Sequence, residues 1–381
     1  MKTGRTIGEL AAEIERQKDA KRDFVAPTAK VEVKLVEPES VIDSVLSQVD
    51  APEIDDKVAP LVSVVDFQTN GGNSQFPILP YAHGQIADRL SIPKRYYDRC
   101  RQDAPELWAE QVNHWLHAKD EKRLMRTMDG KLRAFLSNRY RALDNPELAQ
   151  AVLTVLQDFD VTIESCEITD NRLYIQAVRT DLEAEVEGSK LVGDVVRSGI
   201  VVSNSEIGNG SLSIEPLIYR LVCENGMISK DHSLRKYHTG RGRGNGIEVA
   251  YELLRDETRA KTDEAFWLQV QDLTRAALDG PVFHEQVKAL SDATGNVIES
   301  TKIEKVVEVT AKKITCTDDE QGSILRHLIE GGDLSQYGLV NAVTRTAEDA
   351  NSYDRAVELE RAGATVLELP KSDWAEITEA A

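Results

Sequence analysis

From Val192 to Gly240 the sequence reads VGDVVRSGIVVSNSEIGNGSLSIEPLIYRLVCENGMISKDHSLRKYHTG, with turn glycines, small polar side chains and a basic run around two strand-like segments. Gly193, Gly199, Gly208, Gly210 and Gly226 each mark a turn or a close approach of the backbone, because glycine alone takes positive φ without a steric cost. Ile200 to Val202 and Leu212 to Val222 suit strands. The polar loop Ser203-Asn204-Ser205-Glu206 then falls at a strand end, where a rigid scaffold commonly presents binding or catalytic groups.

The string GD…G…NSE.G…R.VC.NGM…H.G, carried here by Gly193, Asp194, Gly199, Asn204, Ser205, Glu206, Gly208, Arg220, Cys223, Asn225, Gly226, Met227, His238 and Gly240, resembles a known family. That family is the phage- and plasmid-associated set of uncharacterised proteins called domain of unknown function 932. Two further blocks are similar to it: Arg133-Ala-Phe-Leu-Ser137 running to Arg139-Tyr-Arg141, and Asn341-Ala-Val-Thr344 through Tyr353 to Leu369-Pro370. The resemblance covers roughly residues 60 to 375. It implies a setting in mobile DNA and no particular reaction, so function must be argued from the residues.

With 381 residues, 41% of them hydrophobic, the chain can bury one large core or two smaller ones. No run of about 18 apolar residues occurs, and Met1 to Val25 alternates charge with apolar side chains rather than forming a signal-peptide core. A cytoplasmic protein without a membrane partner is expected. Cys100, Cys166, Cys223 and Cys316 are widely spaced and form no CxxC pair, so they read as reduced thiols.

The formal charge of −19 opposes nucleic-acid binding. The charge is uneven, however. Residues 122 to 141 hold seven Lys and Arg against Asp129 alone, and residues 220 to 243 hold six against Glu224 and Asp231.

The fold expected is α+β: a mainly antiparallel central sheet with flanking helices, followed by a largely helical C-terminal region. Thr6-x-x-Glu9 predicts a capping box opening a helix over residues 7 to 22. Residues 32 to 56, with eight acids and only Lys34 as a base, predict an extended acidic linker. Three regions follow: residues 1–59 as helix and partly disordered linker, 60–245 as the α+β core, and 246–381 as helices packed on it. Asp129-Gly130 predicts a hairpin turn and Asn145 to Asp158 a helix, while Thr365 to Leu369 could return as a strand.

Several constellations could carry chemistry. Cys223, His232 and His238 spaced C-x8-H-x5-H could bind zinc, but the spacing is no usual finger, and a packed cysteine with loop histidines reads more simply. A Cys223 nucleophile with His238 as base has no geometry behind it in sequence. Asp194, Glu206 and Glu224 could hold Mg²⁺ for a nuclease; alternatively, Asp194 caps a turn and Glu206 pairs with an arginine. Neither a P-loop nor a dinucleotide fingerprint is present.

The basic islands mix cations with aromatics. Arg133, Arg139, Tyr140 and Arg141 in the first, and Arg220, Arg235, Lys236, Tyr237 and His238 in the second, suit single-stranded nucleic acid, with Arg241 and Arg243 on a flexible loop beyond. They could equally be charged edges that offset the surplus acids. The leading expectation is a single-stranded DNA-binding or strand-annealing protein, non-enzymatic, oligomeric and without a cofactor, whose islands form one groove. Asp194, Asn204, Ser205, Glu206 and Asn225 are the loop candidates. The alternatives are a Mg²⁺-dependent nuclease and a host-protein binder acting through the acidic N-terminal arm.

Overall fold

The computed structural model describes residues 1–37, 62–69, 72–229, 234–236 and 256–379. They fall into two compact units: a larger one within Met1–Glu13, Leu143–Tyr237 and Arg255–Ala381, and a smaller one within Ile14–Ala142 and His238–Leu254. The division differs from the expected one. It falls within the stretch read as a single α+β core, because residues 143 onward pack with the C-terminal helices and with the first residues of the chain.

Helix α1 (Ile7–Ala20) opens as Thr6 and Glu9 predict. The Thr6 N–H donates to Glu9 Oε2 at 2.8 Å and the Glu9 N–H donates to Thr6 Oγ1 at 3.3 Å, so two orphan donors are satisfied reciprocally.

In the smaller unit, β1 (Arg22–Pro27), β2 (Val31–Val36), β3 (Val62–Thr69) and β4 (Gly72–Pro77) precede helices α2 (Pro80–Arg89), α3 (Lys94–Asp103) and α4 (Pro105–Ala118). Strands β5 (Lys122–Met128) and β6 (Lys131–Ser137) complete two antiparallel sheets, β1-β5-β6 and β2-β3-β4. The Asp129-Gly130 turn takes φ of 50° and 72°, the two positive values that a two-residue hairpin of this hand requires. Strand β2 corrects the linker expectation. Val31 and Val33 are buried while Glu32 between them is exposed, so a period of two ties this segment to β3 despite its acids. The remainder of the acidic stretch, residues 38–56, lies outside the described residues.

Trp108, Val112 and Leu116, spaced by four on α4, fill the smaller unit's core with Tyr97, Phe67 and Phe135. His83 lies among them, hydrogen-bonded to Ser63 Oγ at 3.0 Å and to the Tyr97 hydroxyl at 2.8 Å. Burial, with the nearby Arg101 and Lys94 charges, pushes its imidazole down to about 3, so it is neutral.

The larger unit continues with α5 (Asn145–Leu156), β7 (Val161–Ile168), β8 (Leu173–Glu185), β9 (Val195–Asn204), β10 (Leu212–Arg220), β11 (Asn225–Ile228) and β12 (Leu234–Lys236). These strands form one antiparallel sheet in the order β11-β10-β9-β8-β7, with β12 also on β10. Helices α6 (Asp256–Ala277), α7 (Gly280–Thr294), α8 (Ile303–Lys313), α9 (Asp318–Gly331), α10 (Gln336–Arg345), α11 (Tyr353–Leu367) and α12 (Lys371–Glu379) follow.

Every residue of β10 is buried, because both faces of the sheet are covered. Ile218 joins a core with α7 to α12, while its neighbours Leu217 and Tyr219 pack with Tyr353 and Val357 of α11. The α+β class with a helical C-terminal region is therefore as expected. Thr365 to Leu369, however, does not return as a strand. Val366 stays in α11, where it is 1% exposed in the apolar core, and packing overrides the β-branched local preference.

Gly199 sits where strands crowd. A Cβ there would stand 2.5 Å from the Ala177 carbonyl oxygen, so this is a close-approach glycine rather than a turn. No helix among the described residues is long and apolar enough to cross a membrane.

Candidate functional site

Asp194 immediately precedes β9, and Val196 lies opposite Arg220 at the end of β10, so the antiparallel register brings the two charges together. Arg220 donates from Nε at 2.7 Å and from Nη2 at 2.6 Å to the two carboxylate oxygens of Asp194, the planar fork that guanidinium and carboxylate favour. Ser189 Oγ at 2.6 Å and the Tyr337 hydroxyl at 2.8 Å also donate to Asp194. The carboxylate is wholly buried. Burial alone would raise its pKa, but the bonds from Arg220 and Ser189, the Arg220 charge and the Tyr337 hydroxyl hold it below the ordinary aspartate value. Arg220 is likewise held above its usual value, since the pairing with Asp194 outweighs desolvation.

The third guanidinium nitrogen, Nη1, points to Cys223 Sγ at 3.4 Å. Cys223 is half-buried on the turn between β10 and β11. It shares a cavity of about 50 Å³ with Ser189, Arg220, His327, Asn341 and Arg345. His327 lies there with Nε2 bonded to Asp349 Oδ2 at 2.9 Å. Asn225, one strand-start away, donates to Thr344 Oγ1 on α10. Residues near 194, 223 and 344 thus meet in one place, although well over a hundred positions separate the first from the last.

The opposite end of β9 is a second cluster. Asn204 Nδ2 donates to the Leu143 carbonyl at 2.8 Å and to Asn145 Oδ1 at 2.9 Å, while Glu206 Oε1 accepts the Asn145 N–H at 2.7 Å. A carboxylate at the first residue of α5 satisfies a free helix donor and complements the helix dipole. Ser205 Oγ accepts the Asn209 N–H at 2.9 Å, closing the loop on itself. Asn204, Ser205 and Glu206 are all buried, so the loop expected to present ligands instead secures a helix start.

The placement decides between the two readings of the acids. Asp194 and Glu206 flank opposite ends of the ten-residue β9, about 30 Å of strand, too far for one ion to bridge. No group of three His, Cys, Asp or Glu suited to a metal occurs among the described residues. His232 and His238 lie outside them.

Residues 134–366 match the model of the family described as Domain of unknown function (DUF932). The chain belongs to that family. The match is narrower than the expected span of 60 to 375, beginning in β6 and ending in α11. No curated protein and no solved structure matches the chain.

Several cations of the basic islands of this DUF932 member are interior. Arg133 is 7% exposed, Lys131 is buried, and Arg126 is fully buried with Nε 2.8 Å from Asp23 Oδ1. Arg220 is bound to Asp194. These side chains do not stand as surface cations, because each lies within a packed sheet where an unpaired charge would be costly. Arg139 is exposed and Tyr140 and Arg141 are half-exposed, on a turn closed by the Tyr140 N–H to the Ser137 carbonyl at 2.9 Å. In β12, Arg235 lies opposite Ser213 and Lys236 opposite Leu212. Tyr237, His238, Arg241 and Arg243 lie outside the described residues.

Sequence reading missed a third basic run. Residues 89–101 hold Arg89, Lys94, Arg95, Arg99 and Arg101 against Asp98 alone, with Tyr96 and Tyr97 among them. The cation–aromatic pattern that singled out the other islands would have found it. It also missed His327, which shares the Cys223 cavity, and Asp349, which bonds His327, because no local signal announces either.

Proposed function

We propose that the protein binds single-stranded DNA as a non-catalytic accessory factor in the replication or recombination of mobile DNA, self-associating as it does so. The observation that carries this reading is the turn after β6, which exposes Arg139 and partly exposes Tyr140 and Arg141. A cation, an aromatic ring and a second cation in succession suit a phosphate backbone with unstacked bases. The mobile-DNA setting rests on the phage and plasmid association of the family resemblance, and is analogy rather than geometry.

Fluorescence anisotropy of a labelled oligonucleotide, titrated at several salt concentrations with and without Mg²⁺, tests the proposal. Binding should weaken linearly in log salt, with a slope of about 0.7 per phosphate contact, and the oligonucleotide should remain intact. No binding at low salt would refute it. Cleavage that requires Mg²⁺ would establish the nuclease alternative instead.

A further inference from the structure

We infer that Cys223 is a modification site, oxidised to a sulfenic acid by hydrogen peroxide held in the small cavity beside it. This goes beyond the DNA-binding reading and does not depend on it. Cys223 lies between two spaces. On one side is the cavity of about 50 Å³ that it shares with Arg220 and His327. On the other is an open depression of about 830 Å³, which gives solutes access to the half-buried sulfur.

Two groups in the cavity are prepared for a small polar guest. Arg220 is fixed by its fork on Asp194, and its remaining nitrogen, Nη1, donates to Cys223 Sγ at 3.4 Å. A charged N–H beside a partly exposed sulfur is the setting in which reactive cysteines are found. His327 is the second and independent feature. It is 8% exposed, and its Nε2 carries the hydrogen that Asp349 Oδ2 accepts at 2.9 Å, since an ionised carboxylate can only accept. Nδ1 of the neutral ring is therefore a bare acceptor. It is buried with no hydrogen-bond partner among the described residues, and Glu330 Oε2 stands 3.7 Å away, beyond bonding reach. An unfilled buried acceptor on a ring that lines a cavity calls for a donor there, and a peroxide O–H supplies one.

Size and charge select the guest. A cavity of about 50 Å³ exceeds the roughly 10 to 15 Å³ that admits a water and falls well short of the roughly 150 Å³ that holds a benzene ring. Hydrogen peroxide fits and an aryl hydroperoxide does not. The side chains of the open depression set two acids, Glu224 and Glu348, against two cations, Lys2 and Arg345, so they favour a neutral reagent over an ion. No other cysteine lines either space. Cys100 and Cys166 are buried, and burial pushes the Cys166 and Cys316 thiols up to about 11.

In the step itself, the Cys223 sulfur attacks one peroxide oxygen as its thiolate. The S–O bond forms as the O–O bond breaks, sulfur gives up two electrons, and the oxygen it gains keeps its hydrogen. The other oxygen departs as hydroxide and takes a proton from solvent to become water. With no second cysteine at hand, the sulfenic acid persists until an external thiol condenses with it, forming a mixed disulfide and releasing water.

The test exposes the reduced full chain to hydrogen peroxide, traps sulfenic acid with dimedone and maps the adduct by mass spectrometry. Cys223 should carry it, at a rate roughly tenfold or more above that of the same cysteine in urea. Cumene hydroperoxide should show no such advantage for the native chain. His327→Gln should slow the peroxide reaction roughly 2- to 10-fold, the worth of one hydrogen bond, while alkylation of Cys223 by iodoacetamide stays unchanged. A merely structural histidine would not separate the two reactions. A native rate no higher than the rate in urea would overturn the site. Equal native-to-urea ratios for the two hydroperoxides would overturn the enclosed cavity as its place, and so would parallel loss of both reactions in His327→Gln. If that variant folds poorly, the two hydroperoxides on the wild type decide the matter.

Discussion

Arg220→Met separates a structural arginine from a phosphate contact. The arginine is 7% exposed and its charge is matched within the unit by Asp194, itself wholly buried. Removing one partner of such a pair strands the other charge with its desolvation uncompensated, at a cost of about 3 to 5 kcal/mol. Asp194 keeps Ser189 and Tyr337 as donors, so the lower half of that range is expected here. The larger unit spans about 235 residues, for which each kcal/mol moves the melting temperature about 2 to 4 °C. Arg220→Met should therefore melt roughly 6 to 16 °C below the wild type by calorimetry or circular dichroism. Asp194→Asn should also destabilise, and combining it with Arg220→Met should recover part of the loss, because the double variant leaves no unpaired charge. A variant that melts with the wild type yet shows a shallower salt dependence of DNA binding would refute the reasoning and make Arg220 a phosphate contact.

Glu360 is buried against Gln176 Nε2 at 2.7 Å, and burial pushes its carboxyl up to about 7. Above its unfolded value of about 4.3 the native state therefore holds a proton that the unfolded chain releases. Stability from this group is intact below that value and is lost as pH rises toward 7, so Glu360→Gln should gain roughly 3 kcal/mol over the wild type at pH 8 in urea melts and nothing at pH 4; equal melts at pH 8 would contradict this. An aromatic disulfide reagent should modify Cys223 first in the native protein, since Cys100 and Cys166 are buried and burial raises the Cys316 thiol to about 11. Peptide mapping after brief labelling checks this, and Cys223→Ser should abolish the fast phase. Gly199→Ala places a methyl 2.5 Å from a backbone oxygen in the middle of the sheet and should lower soluble yield and melting temperature, whereas Gly280→Ala, with nothing within 4 Å, should not.

Local chemistry carried much of the fold. The capping box at Thr6, the Asp129-Gly130 hairpin and the proline-led helices α4 and α5 were legible because each depends on residues a few positions apart. Strand β2 was obscured because a count of acids over residues 32 to 56 outweighed the alternation of Val31, Glu32 and Val33. The site was legible only as a set of residue types. Charge counting cannot distinguish a solvated cation from Arg126, which is sealed against Asp23, nor can it show that Asp194 meets a tyrosine 143 residues later. The glycines and polar residues between 193 and 226 marked an unusual backbone correctly. What they secure is strand crowding, a helix start and a buried ion pair.

The order in which these contacts become available during synthesis has a consequence of its own. The Arg5 N–H bonds to the Cys166 carbonyl, and the buried Glu215 carboxylate awaits Arg361, 146 residues downstream. At about 5 to 20 residues per second, the first contact must wait roughly 10 to 30 s and the second a comparable time. Through the second interval the smaller unit has its whole described sequence in hand, whereas the larger unit has an anion with no countercharge. Premature termination before α11 should thus yield chains in which one unit is protease-resistant and the other is degraded. For a ribosome pausing late on this message, the vulnerable product is the larger unit.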